Sequence, residues 1–206
     1  SAVVPEGRIT PADVGIWSDA HIAPHARIVE AIHATGVVAG IQLAHAGRKA
    51  SRQPPWGAGA ADPSWVCQAP SAEAFDGFAV PHAMTEAEIG ATLAAFAEAA
   101  KRSVTAGYRF IEMHAAHGYL THQFLSPISN RRNDSWGGDF EGRTRFVREM
   151  AAMVRAAIPA DMPLALRISH TDWVEGGWTT EESVELARRV KALGVDLMDV
   201  SSGGLD

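Results

Sequence analysis

Ile89, Leu93, Phe96, Ala97, Ala100 and Val104 recur at steps of three and four residues, which draws one apolar stripe along a helix. Two shorter stripes keep the same period: Ile22, Ala26, Val29 and Ile32 before Gly36, and Phe146, Met150, Val154 and Ala157 before Pro159. Thr85 with Glu88 and Thr179 with Glu182 have capping-box spacing, in which a hydroxyl and a carboxylate satisfy orphan amides of a first turn, so a helix is predicted after each. Residues 37–44, 108–114, 164–169 and 195–200 are instead apolar almost throughout. A strand covered on both faces reads this way, and a parallel sheet with helices laid on it is predicted. Gly36, Gly107 and Gly194 stand where helix gives way to strand, as expected of left-handed caps.

Alternating helix and strand fit either an open doubly wound sheet or a closed barrel. The polar residues favour the barrel. Gln42 and His45, then His114, then Arg167, then Ser201 and Ser202 mark the C-terminal ends of different strands, whereas an open sheet gathers its ligands at one switch point. The fold class is therefore α/β, a (β/α)8 TIM barrel with about the central half present, strands 3 to 6 with their helices. Residues 1–206 are read as one partial barrel domain, with Ala2, Val3 and Val4 as the exit of a further strand. The start at Ser1 rather than Met, and the end at Asp206 soon after a strand, suggest a segment of a longer barrel. Residues 51–82, rich in Pro, Gly, Ala and Trp, are read as a loop excursion over the barrel mouth.

With 206 residues, 47% of them hydrophobic and 20% charged, the chain can bury one core but not two. A net charge of −6 and no basic run beyond Arg131 and Arg132 argue against nucleic acid and anionic membrane surfaces as partners. No apolar stretch approaches the roughly 20 residues of a membrane helix and no signal-peptide pattern opens the chain, so a cytoplasmic location is expected. Cys67, the only cysteine, leaves neither an internal disulfide nor a thiolate cluster for metal.

The densest chemistry lies in His114-Ala115-Ala116-His117-Gly118-Tyr119-Leu120, followed by Leu125-Ser126-Pro127 and Asn130-Arg131-Arg132. It closes an apolar run, so two imidazoles and a phenol gather where a strand turns into a loop, a group able to grip an oxyanion and deliver a proton. Gln42, an amide inside an apolar strand, needs a partner, since leaving it unpaired costs about 1–3 kcal/mol. Arg167 has Asp172 or Glu175 near in sequence as an ion-pair partner. His45 is read as structural, His21, His25, His33 and His82 as helix-surface or loop residues, and Trp56 and Trp65 as plugs of local apolar clusters.

These motifs resemble the signature of the Old Yellow Enzyme family of flavin-dependent ene-reductases, closest to its xenobiotic-reductase branch. Ile41-Gln42-Leu43-Ala44-His45-Ala46-Gly47-Arg48-Lys49-Ala50, Ala69-Pro70-Ser71, Gly137-Gly138 with Glu141 and Arg143, Arg167-Ile168-Ser169 with Asp172, and Asp199-Val200-Ser201-Ser202-Gly203-Gly204 extend the likeness over nearly the whole chain. The resemblance implies a barrel carrying noncovalent FMN, reduced by NAD(P)H and oxidised by a small activated alkene or nitro compound. By the same likeness, His114 and His117 hydrogen-bond the substrate oxygen, Tyr119 protonates the α-carbon, Gln42 binds the flavin's pyrimidine edge, and Arg167 lies beside its N1 and C2 oxygen. The branch's flavin-tuning cysteine and its phosphate-binding strands would fall outside residues 1–206. Asp139, Gly142 and His170 depart from the family pattern, which bears on helix capping and on the pocket wall.

On the residues alone two other classes stay open. A metal-dependent TIM-barrel hydrolase would use His114 and His117 with His45, His170 or Asp172. A catalytically inactive fragment is the other; half a barrel has two unpaired sheet edges, which invite association and leave a homo-oligomer open.

Overall fold

The structure is a computed structural model and describes residues 1–54, 56 and 64–205. In chain order the elements are α1 (Ile22–His33), β1 (Gly40–Leu43), β2 (Gln68–Ala69), β3 (His82–Ala83), α2 (Glu86–Thr105), β4 (Phe110–Ala115), α3 (Leu120–Leu125), α4 (Phe140–Ala157), β5 (Leu164–Ser169), α5 (Thr180–Ala192) and β6 (Leu197–Ser201). Strands β1, β4, β5 and β6 lie side by side in that order, all parallel. At least one helix separates each from the next, the repeat that the sequence predicts.

Local chemistry sets the helix limits. Thr85 and Thr179 each accept an amide three residues on while Glu88 and Glu182 reach back to the cap amide, completing both boxes. Asp139 caps α4 through the amide of Gly142 at 2.9 Å, so the departure at this position still supplies a cap. Glycine at 142 has a steric reason: a Cβ there would come within 2.0 Å of the Gly137 carbonyl oxygen. Gly36, Gly107 and Gly194 take φ of +80°, +96° and +89°, as the cap reading expects.

Side chains alternate along a strand, so the register sorts the sheet into two faces. Ile41, Leu43, Ile111, Met113, Leu164, Leu166 and Ile168 point one way and are buried with Phe96 of α2 and Phe146 and Met150 of α4 in the main core. Phe146 stacks on Phe124 of α3 with centroids 4.5 Å apart. The opposite face carries Gln42, Glu112, His114, Arg167, Ser169, Asp199 and Ser201. In a barrel this is the inner face.

Several expectations need correction. The first strand starts at Gly40 and not at 37, because Val37 and Val38 are exposed and precede the pairing. Ala2–Val4 is no strand; Ala2 makes only single bridges, to Gly15 and Ala44, although Val3 is buried. His25 is a core residue, its Nδ1 2.8 Å from the Tyr108 hydroxyl and its Nε2 3.1 Å from the Gly15 carbonyl. The excursion at 51–82 includes the short parallel pair β2–β3, while residues 55 and 57–63 lie outside the described residues. Trp65 plugs the small cluster of Ala46, Ala50 and Cys67, whereas Trp56 is exposed.

Candidate active site

His114 occupies the last turn of β4, and His117 and Tyr119 the loop that leads into α3. His114 is buried; its Nδ1 accepts the Ala116 amide at 3.1 Å, and its Nε2 lies 3.3 Å from His117 Nδ1. Tyr119 stands edge-on to the His114 ring, centroids 5.1 Å apart. His117 is one of three non-glycine residues described with positive φ, at +59°. A left-handed histidine costs on the order of 1–3 kcal/mol and persists only where neighbours impose it. Here they do: the His117 amide donates to Ser169 Oγ at 2.9 Å, its carbonyl accepts from Lys49 Nζ at 3.0 Å, and its Nε2 lies 2.8 Å from Ser201 Oγ.

Gly118 continues the left-handed turn, and a Cβ on it would meet the Gly204 carbonyl oxygen at 2.1 Å. Its amide donates to His122 Nδ1 at 2.9 Å and its carbonyl accepts from Gln123 Nε2 at 2.7 Å. Gln123 also accepts the Arg48 amide, which ties this loop to the exit of β1. His122 Nε2 faces the wholly buried carboxylate of Asp172 at 2.9 Å, a short polar contact with the N–H off the ideal line. Asp172 further accepts from Ser126 Oγ and the Trp178 amide, both at 2.6 Å. Burial works against that carboxylate's charge, yet the donors from His122, Ser126 and Trp178 prevail and hold its pKa below the usual range.

Gln42 and Arg167 reach the same face from β1 and β5. Gln42 pairs in register with Glu112 and donates to its carboxylate at 2.5 Å. His114, Arg167 and Asp199 share one rung across β4, β5 and β6. Asp199, not Asp172 or Glu175, is the ion-pair partner of Arg167, with Oδ2 3.3 Å from Nε. That oxygen lies off the N–H direction, so the attraction is coulombic and the buried Nε–H has no hydrogen-bond acceptor among the described residues. A cavity of about 570 Å³ opens here, lined by Gln42, Ala44, Ala46, His114, His117 and Tyr119 and by Ser1 and Gly7, whose backbones pair with Ala44 and Ala46.

Burial dominates the electrostatics. It pushes His114 down to about 3, helped by His117 and Arg167, and it lowers His117, helped by Arg167, His122 and Lys49. Both rings are neutral N–H donors near pH 7. Burial raises the Tyr119 phenol, which therefore keeps its proton, and lowers Lys49 to about 8. All five residues singled out from the sequence thus reach one side of the sheet, with Gln42, His114, His117 and Tyr119 lining one cavity. Sequence reasoning missed Glu112, Lys49 and the His122–Asp172 pair. Lys49 Nζ donates to the His117 and Gly204 carbonyls and sits 4.1 Å above the Phe75 ring. Its place beside His45 and Gly47 at a strand exit was the available signal.

Comparison with known proteins agrees with this geometry. A profile of the NADH:flavin oxidoreductase / NADH oxidase family matches residues 1–205. An NADPH dehydrogenase of Bacillus subtilis (strain 168) is 45% identical over 206 residues, which is all of this chain and 57% of the relative. An NADH:flavin oxidoreductase of Gibberella zeae is 46% identical over 224 residues, again all of this chain and 54% of the relative. Morphinone reductase superposes with a TM-score of 0.82 at 27% identity, covering 97% of this chain and 56% of its own. The old yellow enzyme homologue from Zymomonas mobilis gives 0.82 at 27%, over 100% and 59%. These neighbours are TIM-barrel enzymes, so the four-stranded sheet is part of such a barrel. The chain spans little more than half the length of the relatives it matches. With the profile running from end to end over a site of this composition, the chain belongs to the NADH:flavin oxidoreductase / NADH oxidase family.

Proposed function

We propose that the protein is an FMN-dependent oxidoreductase that uses NAD(P)H to reduce activated C=C bonds in small α,β-unsaturated carbonyl or nitro compounds. The observation that carries this reading is the meeting of His114 Nε2 and His117 Nδ1 at 3.3 Å at the edge of the cavity. Two ring nitrogens at that spacing can both donate to one substrate oxygen. Negative charge grows on that oxygen as hydride reaches the β-carbon, and donors already aimed at it stabilise the transition state. Tyr119, kept protonated by burial, is the proton donor to the α-carbon.

The residues fit an FMN. Gln42 presents a carboxamide, donor and acceptor in one group, on the inner face of the sheet. Arg167 offers a buried Nε–H without an acceptor among the described residues, as a group awaiting an anionic or carbonyl partner would. Gln42 would hold the pyrimidine edge and Arg167 would set positive charge beside it; the flavin, when bound, supplies the hydride relay between nicotinamide and substrate. The family match counts against the metal-dependent hydrolase. A partial barrel domain over 1–206, a cytoplasmic setting and a homo-oligomer belong to the same proposal.

The test is stopped-flow oxidation of the reduced, FMN-loaded protein by cyclohexenone. His114→Ala is expected to weaken enone binding about tenfold, the loss of one hydrogen bond being worth about 1 kcal/mol or somewhat more. Tyr119→Phe is expected to slow the oxidative step while leaving binding unchanged. A protein that binds no flavin, or a His114→Ala variant with unaltered enone affinity, would overturn the reading.

A further inference from the structure

We propose that Ser201, at the C-terminal end of β6, is a positioning residue whose hydroxyl lets His117 carry its proton on either ring nitrogen. This deepens the substrate-clamp reading and rests on it.

Contacts around the two rings fix their tautomers. His114 Nδ1 accepts the Ala116 amide, so the neutral ring carries its proton on Nε2. That N–H faces His117 Nδ1, which must then be the bare, accepting nitrogen. His117 accordingly carries its proton on Nε2 and donates it to Ser201 Oγ at 2.8 Å. Donation runs in one direction, from His114 through His117 to Ser201.

A substrate oxygen held by both rings requires another state. His117 must then donate from Nδ1, which leaves Nε2 as a lone pair in need of a donor. The ring cannot meet this by turning over about its Cβ–Cγ bond, because carbon atoms would then stand where Nδ1 and Nε2 face His114 and Ser201. The proton moves instead: the partly exposed imidazole takes one up at Nδ1 and releases one from Nε2 to water, with no change of charge. A serine hydroxyl serves both states, because it accepts in one and, after rotation about its C–O bond, donates in the other. A backbone carbonyl or amide at the same place would allow only one.

The test combines 15N NMR of histidine-labelled protein with binding of cyclohexenone to the oxidised, FMN-loaded form, where no turnover occurs. His117 is expected to be Nε2-protonated without ligand and Nδ1-protonated with it. Ser201→Ala is expected to abolish the switch and to weaken enone binding about fivefold to tenfold, the worth of one hydrogen bond, while Ser201→Thr restores both. An unchanged tautomer on ligand addition would overturn the inference. So would a Ser201→Ala variant that binds as wild type while His114→Ala binds more weakly. If His114→Ala also binds as wild type, the clamp reading itself is at fault and the inference falls with it.

Discussion

Asp172→Asn removes one charge from a site where three donors converge. Asp172 Oδ2 takes the Ser126 hydroxyl and the Trp178 amide, and Oδ1 faces His122 Nε2. Whichever way an asparagine amide is turned, its NH2 points at a donor. If it meets the Trp178 amide, two N–H groups oppose each other in a buried place. If it meets His122, that ring must shift its proton to Nδ1, which is the nitrogen that accepts the Gly118 amide. The conflict then passes into the backbone between His117 and Tyr119. Leaving one buried donor of this site unsatisfied costs about 1–3 kcal/mol. Urea unfolding at pH 7 measures it directly, and a fall in the oxidative rate with cyclohexenone is expected to accompany it. A stability loss below about 1 kcal/mol would mean that the carboxylate contributes no more than an ordinary neutral hydrogen bond, and the argument would be refuted.

Gly118→Ala forces a Cβ into the Gly204 carbonyl at a φ of +72°, so a loss of at least about 2 kcal/mol is expected in the same assay; a change within about 0.5 kcal/mol, the spread of surface substitutions, would exclude the close approach. Acid is expected to destabilise the fold through His45 and His114, whose folded pKa values lie near 4 and 3 against 6.5 when unfolded. Below pH 6.5 the unfolded chain binds more protons than the folded one, so stability is full above that pH and falls toward pH 4 and then 3. At pH 4.5 the two rings together remove about 5 kcal/mol, and equal unfolding free energies at pH 7 and 4.5 would contradict it.

Long periodic elements were legible in the sequence because their signals are local. The stripes and capping hydroxyls delimit α2 and α5, the run at 164–169 coincides with β5, and the glycine junctions are left-handed as expected. α3 was missed because all six of its residues are buried, and a helix with no polar side shows no period. β2 and β3, two residues each, are too short to carry a pattern. The residues of the site were found through motif and strand end, but their partners lie far along the chain: Glu112 is 70 residues from Gln42, and Ser201 is 84 from His117. Such pairings exist only through register. His25 misled for a related reason, its partner Tyr108 being 83 residues away.

One imidazole, that of His117, is pinned from the ends of β4, β5 and β6 and from the segment after β1. No two consecutive elements suffice to seat it, so a partly assembled chain has the residues without the geometry. If the proposed function holds, enone affinity should be a late reporter of folding: it should vanish with the first slippage of any one of four neighbours, before the helices themselves begin to melt.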